Sequence, residues 1–171
     1  KAGNGYSLEQ YIRELKGYAA AIYAVAPNVP ISGPGAYDQK WWQPFVDADL
    51  PQKKILTFHH YPLSNCDGGV PQDSPTLANA MSRTMHDRGV NYQKAALAVG
   101  QAAGLETWIP ETGISACPGS NETSRTHASA LWAADYALTA AQLGITRIGF
   151  HSSLLTCKGG PPLSAICSAG A

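Results

Sequence analysis

The chain has 171 residues and a formal net charge of zero, from twelve basic and twelve acidic side chains. Only 14% of the residues are charged and 44% are hydrophobic, which excludes a disordered charged tail and leaves no basic excess for binding nucleic acid. The length suits one ordinary domain with its own core, and no apolar run reaches the roughly 18–20 residues of a membrane span. We therefore expect neither nucleic acid nor a membrane as a partner.

Four helices and four strands are predicted in alternation along the chain. The first helix starts at a capping box formed by Ser7 and Gln10 and ends before Pro27. The predicted helices span residues 8–26, 41–50, 77–103 and 124–143. The predicted strands span residues 29–34, 54–61, 106–110 and 145–151. Gly89 marks a point at which the third helix would be interrupted.

Regular alternation of strands and helices favours a parallel sheet with right-handed helical crossovers, which makes this an α/β fold. Two architectures fit: an open doubly wound sheet, or part of a (β/α)8 TIM barrel. In both, functional residues lie at the carboxyl ends of the strands. Because no glycine-rich nucleotide-binding pattern follows any strand, the nucleotide-binding form of the doubly wound sheet is disfavoured.

Four cysteines lie in sequence that is rich in Gly, Pro, Ser and Asn. They are Cys66, Cys117, Cys157 and Cys167. No pair has the C-x-x-C spacing of zinc ribbons or thioredoxin-like sites, so an even number in loops favours disulfides and a secreted, extracellular protein. Of the three pairings, we favour Cys66–Cys117 as a bridge between loops and Cys157–Cys167 as a local closure.

Ionisable side chains stand at the ends of the last three predicted strands, and Glu111 is the strongest catalytic candidate among them. It follows a Trp-Ile-Pro sequence that would hold its backbone at the end of a strand. A carboxylate fixed there can act as a nucleophile or a general base. The alternative is a structural carboxylate that pairs with Arg147 or caps the next loop.

His59 and His60 are neighbours in a strand, so their side chains point to opposite faces and only one of them can face a site. Tyr61 shares a face with His59, and its phenol could bind a sugar or orient a carboxylate. Either histidine could instead be structural, and Tyr61 could be core. Adjacent histidines are poorly placed to bind zinc together with Glu111, so we expect no metal and no cofactor.

Aromatic residues offer a second kind of candidate, because flat rings can stack on sugars. Trp41 and Trp42 follow a loop and could form such a platform, and Tyr37 lies in the segment after the first strand. Trp108 and Trp132 are expected in the core instead. The chain lacks a G-x-S-x-G nucleophile elbow, and no cysteine lies in a recognisable Cys–His context, so serine and cysteine hydrolases are disfavoured.

Around Glu111 the sequence resembles glycoside hydrolase family 79, which contains β-glucuronidases and heparanase-like enzymes. The resemblance spans nearly the whole chain. It is carried by WIPETGIS over 108–115, HASALWAADY over 127–136, LGITRIGFH over 143–151, SGP over 32–34 and FHHY over 58–61. The Glu-Thr pair followed by Ala-Leu-Trp-x-x-Asp is the most specific part.

The resemblance implies a (β/α)8 barrel and a retaining glycosidase whose acid/base Glu follows strand four and whose nucleophile Glu follows strand seven. Glu111 matches the nucleophile, while His59, Tyr61 and His151 match positions that line the subsite for the terminal sugar. The family's acid/base lies in an Asn-Glu-Pro motif, and this sequence contains none. The resemblance therefore implies that residues 1–171 are one segment, strands five to eight of a barrel whose first half lies outside the chain.

The leading hypothesis is that the chain forms part of a secreted retaining glycosidase for β-glucuronides or related glycans. It would supply the nucleophile and be inactive alone. Its partners would be the carbohydrate and either the first half of the barrel or a second copy of itself. The neutral charge argues against heavily sulfated polymers as substrates. The alternative hypothesis is a non-catalytic carbohydrate-binding or interaction domain on a degenerate barrel.

Overall fold

A computed structural model describes residues 5–67, 70–117, 123–124 and 126–151 of the chain. Within these ranges the helices are α1 Leu8–Val25, α2 Trp42–Asp47, α3 Leu77–Ala80, α4 Arg83–Ala102 and α5 His127–Leu143. The strands are β1 Ile31–Ala36, β2 Lys53–His60, β3 Glu106–Thr112 and β4 Arg147–Phe150. None of the helices in these ranges is long and apolar enough to cross a membrane.

The four strands form one parallel sheet in the order β1-β2-β3-β4. A doubly wound sheet reverses its strand order at a switch point, whereas consecutive order with right-handed crossovers puts every helix on one face. Here α2 packs on β1 and β2, α4 packs on β2 and β3, and α1 and α5 pack against α2 and α4. The fold is therefore four successive units of a (β/α)8 barrel, the second of the two predicted architectures.

The predicted helix over 77–103 is two helices, and the break is not at Gly89. It falls at Met81 and Ser82, where the Ser82 hydroxyl caps α4 by accepting the backbone N–H of Met85 at 3.1 Å. Gly89 continues α4 and is buried against the ring of Tyr136. The prediction was wrong here because one glycine weakens a helix interior by only about 1 kcal/mol, whereas the side-chain cap at Ser82 stabilises a new helix start.

The core lies between the sheet and its helices. Leu56, Phe58 and Ile109 point from the strands toward α2, α4 and α5 and are fully buried. Trp42 belongs to this core, since it is only 2% exposed and donates its indole N–H to the Ala36 carbonyl at 3.3 Å. The prediction that Trp42 forms a sugar-stacking platform together with Trp41 is therefore wrong for Trp42.

Trp132 is buried in the core as expected, but Trp108 is not a core residue. Trp108 lies on the face of β3 away from the helices. Its ring is half-buried under the guanidinium of Arg147, whose Cζ is 4.5 Å from the ring centroid. Arg147 thus packs on Trp108 at the amino ends of the strands, so the alternative in which it pairs with a structural Glu111 is wrong.

Gly149 brings β4 very close to β3, and this contact gives a first prediction. A Cβ at this position would lie 2.4 Å from the carbonyl oxygen of Pro110, a backbone atom that cannot turn aside. We expect Gly149→Ala to lower the free energy of unfolding by about 1–3 kcal/mol, measured by urea unfolding. Gly17→Ala is the control, because nothing lies within 4 Å of a Cβ there and the helical site should gain roughly 0.5–1 kcal/mol. Equal effects of the two substitutions would contradict the close approach.

Candidate active site

The carboxyl end of β3 carries Glu111, which lies inside the strand because β3 runs on to Thr112. His59 of β2 is its direct register partner, so the two side chains emerge side by side on the same face of the sheet. Nδ1 of His59 lies 3.6 Å from Oε2 of Glu111. The Tyr61 hydroxyl donates a hydrogen bond to Oε1 at 2.7 Å. The structure thus places two polar neighbours on the carboxylate, one at each oxygen.

In this site the Glu111 carboxylate accepts a hydrogen bond that the Tyr61 phenol donates, and the electrostatics fit these two roles. Burial, the hydrogen bond to Glu111 and the charge of Glu111 together raise the pKa of Tyr61 well above its usual range. The phenol therefore keeps its proton at neutral pH. The Glu111 side chain is 40% exposed, so the oriented carboxylate remains open to a ligand.

A glycine at the end of β1 completes the surroundings of His59. A Cβ at Gly35 would lie 3.5 Å from Nε2 of His59 and 3.9 Å from the Thr57 hydroxyl. Gly35 also has a φ of +64°, a backbone conformation that favours glycine. Sequence reasoning missed this residue, although its Ser-Gly-Pro-Gly sequence could have signalled it.

His60 points to the helix side, as the strand period predicts. Its Nδ1 lies 3.0 Å from the Tyr136 hydroxyl, and its ring stacks on Tyr92 with centroids 4.4 Å apart. The Thr112 hydroxyl donates to the His60 carbonyl at 2.6 Å. At 4% exposure, His60 is a buried histidine behind the site.

The burial of His60 predicts a pH dependence of stability. Burial, with a smaller contribution from the charge of Arg88, lowers the pKa of His60 from 6.5 to about 4. The folded protein therefore binds a proton at His60 more weakly than the unfolded chain does. The contribution of the neutral, buried His60 to the free energy of unfolding is complete above pH 6.5 and is lost as the pH falls from 6.5 through 4. We expect this loss to reach about 3 kcal/mol, measured by urea unfolding at a series of pH values. His60→Gln should lack this component; the same pH dependence in both proteins would contradict the assignment.

His151 follows β4 on the same edge of the sheet as Glu111. Its backbone N–H donates to the Thr112 carbonyl at 2.8 Å, which extends the ladder between β3 and β4. Phe150 packs on Trp132 of the helical layer, so the alternation of side chains puts His151 on the face of Glu111. Nδ1 of His151 is buried and has no hydrogen-bond partner among the described residues.

The structure does not bring Tyr37 or Trp41 into contact with Glu111. Tyr37 is half exposed and its ring stacks on Tyr92 at 5.5 Å, beside the buried His60 on the helix side. Trp41 packs against Tyr6 and Tyr11 at the start of α1, with ring centroids 5.9 and 5.3 Å away. Both lie on segments that follow the carboxyl end of β1, and their part in substrate binding stays a prediction.

A disulfide joins the two loops that border the site. Cys66, after β2, is bonded to Cys117, after β3, which is the favoured pairing. Beside it the backbone of Leu63 bonds to Ile114 and Ala116 at 3.2 and 3.0 Å. The Cys157–Cys167 pair lies outside the described residues. The part of the chain that the structure describes holds no group of three His, Cys, Asp or Glu residues able to bind a metal.

The fold and this edge define half of a (β/α)8 barrel with a carboxylate site at the strand ends. No protein-family model matches the chain, and no curated protein sequence does. Among solved structures, the chain is similar to a 4-O-α-L-rhamnosyl-β-D-glucuronidase from Fusarium oxysporum 12S. Their identity is 18% and the TM-score is 0.70, over 89% of this chain and 33% of that one.

The chain is also similar to a hyperthermostable endo-1,4-β-D-mannanase from Thermotoga petrophila. Here the identity is 12% and the TM-score is 0.60, over 98% of this chain and 50% of that one. Both structures are TIM-barrel glycosidases, and at these identities the similarity shows the fold. The chain spans between a third and a half of the length of the two structures.

Proposed function

We propose that this chain is the second half, strands five to eight, of the catalytic barrel of a secreted retaining glycosidase that acts on β-glucuronides or related glycans. The observation that carries the proposal is the oriented and accessible carboxylate of Glu111, with Tyr61 on one oxygen and His59 near the other. The glycosidase neighbours support it, and one of them is named for a β-D-glucuronide. The bridge between Cys66 and Cys117 supports secretion.

Glu111 takes the role of nucleophile in this proposal. Its carboxylate attacks the anomeric carbon, and the glycosidic oxygen leaves with a proton from a second carboxylic acid. Water, activated by that second group, then releases the sugar with retained configuration. His59 and Tyr61 orient the carboxylate, and His151, with its unpaired Nδ1, is proposed to bind the sugar in the same subsite.

The second carboxylic acid is proposed to come from outside the chain. Two carboxylates at this edge are already paired among the described residues, Asp38 with Lys40 and Asp73 with Arg88. In addition, the helices of the described residues pack on the side of the sheet opposite to Glu111. We propose that the first half of the barrel covers the face that carries Glu111 and brings the acid, either as another part of the same polypeptide or as a separate chain. A second copy of this chain is the other candidate.

The sequence has no Asn-Glu-Pro acid/base motif, and this also favours the alternative function, a non-catalytic carbohydrate-binding or interaction domain. Such a domain would keep the polar strand ends and the aromatic rings but would form no covalent intermediate. Binding without turnover in the completed barrel is its signature.

The experiment uses an activated β-glucuronide with a nitrophenol leaving group, which needs little acid assistance. It is incubated with the chain alone and with the completed barrel, meaning the chain together with the polypeptide proposed to supply the first half. We expect turnover by the completed barrel, with the β-anomer of the sugar as the first product in proton NMR. The α-anomer as first product would overturn the retaining mechanism, and saturable binding without turnover would establish the alternative.

A further inference from the structure

We propose that His60, Tyr136 and Thr112 form a positioning device behind the site, which holds His59 and Tyr61 against Glu111. The device acts from the opposite face of the sheet and touches no substrate. Its catalytic consequence rests on the proposed function, whereas its effect on the geometry of the site does not.

The first argument is the change in chemistry along the buried face of the sheet. Leu56 and Phe58 on β2 and Ile109 on β3 are apolar and fully buried. At the strand ends the same face turns polar, with His60 at 4% and Thr112 at 0% exposure. A buried polar group is unfavourable unless it is hydrogen-bonded, so apolar packing would have been the simpler solution here.

The second argument is the set of bonds that these groups make. The Thr112 hydroxyl is bonded to the carbonyl of His60, the carbonyl of the peptide that leads into Tyr61. That bond ties the backbone before Tyr61 to the residue after Glu111. The ring of His60 is held in turn by the Tyr136 hydroxyl and by stacking on Tyr92.

The third argument is the alternation of side chains in a strand. Fixing the ring of His60 on one face sets the directions of His59 and Tyr61 on the other. These two lie 3.6 and 2.7 Å from the oxygens of Glu111 and are themselves only partly buried. Their own surroundings therefore constrain them less than the fully packed face behind them does.

The fourth argument is the position of Tyr136 in the helical layer. It lies on α5 and is 4% exposed, and its ring stacks on Trp132 at 5.0 Å. A hydroxyl on a rigid, packed ring is a fixed point from which to hold His60. The sequence separation of 76 residues makes this a tertiary contact rather than a local one.

The test removes single atoms from the device. Tyr136→Phe keeps the ring and loses the oxygen, Thr112→Val loses the hydroxyl, and Thr112→Ser restores it. The exposed Tyr18→Phe is the matched control. For each variant, NMR records the imidazole signals of His59, and kinetics in the completed barrel give kcat and KM for the activated β-glucuronide.

We expect Tyr136→Phe and Thr112→Val to shift the His59 signals and to lower kcat by about tenfold or more, with KM changed less than twofold. Thr112→Ser should recover both values, and Tyr18→Phe should match the parent protein. A variant that is less stable but keeps the parent His59 signals and kcat would show a merely structural cluster and overturn the proposal. If the parent protein shows no turnover, the proposed function fails, while the His59 signals still decide the positioning role.

Discussion

Glu111→Gln is expected to lower kcat/KM for an activated β-glucuronide by on the order of 10⁴-fold in the completed barrel, because the amide cannot form the glycosyl-enzyme. The substitution keeps the size and shape of the side chain. It also keeps an oxygen that can accept the Tyr61 hydrogen bond, so the fold should be retained. The measurement is steady-state kinetics, with the melting temperature recorded for each protein.

Glu106→Gln is the matched control for this experiment. Glu106 is the same residue type at the amino end of the same strand, where it accepts hydrogen bonds from Trp108 and Thr146 at 2.9 and 3.4 Å. We expect its kcat/KM to stay within about twofold of the parent value, as for a surface substitution remote from the site. Comparable losses in the two variants would show that Glu111 has no special role.

The double variant with Cys66→Ser and Cys117→Ser is expected to lose about 4 kcal/mol of unfolding free energy. The bridge links residues 51 positions apart, and a closed loop of this length removes a large share of the conformational freedom of the unfolded chain. The measurement is urea unfolding of both proteins under oxidising conditions.

Reductant provides the control for the bridge. The parent protein should lose at least as much stability on reduction as the double variant has lost, and reduction should change the double variant less. Equal stability of the two proteins under oxidising conditions would contradict the contribution of the bridge. The bridge joins the loops after β2 and β3, the strands that carry His59 and Glu111. The same variant should therefore also hold the Glu111 side chain less rigidly.

The strand ends are the part of the site that the sequence predicts well. The opposite faces of His59 and His60, and the shared face of His59 and Tyr61, follow from the strand period alone and are confirmed. The order of helices and strands is likewise confirmed, because apolar periodicity and turn residues act locally. The pairing of Cys66 with Cys117, one of three possibilities, agrees with the structure.

The remaining features depend on contacts between distant parts of the chain. The consecutive strand order that selects the barrel over the doubly wound sheet is a tertiary property. The bond between Tyr136 and His60 joins residues 76 positions apart and cannot be deduced from either position alone. Tyr37 and Trp41 follow a strand end, yet the packing of Tyr92 and α1 decides where their rings lie. Loop side chains are therefore the least predictable part of the site.

Mass spectrometry of a trapped intermediate tests the role of Glu111 most directly. The completed barrel is incubated with a 2-fluoro-β-glucuronyl fluoride, whose good leaving group permits the first displacement while the 2-fluorine slows the second. The account predicts one sugar per chain, bound to the peptide that contains Glu111, and no label in the Glu111→Gln variant. A label on any other residue, or turnover of the activated substrate with no covalent sugar on Glu111, would contradict it.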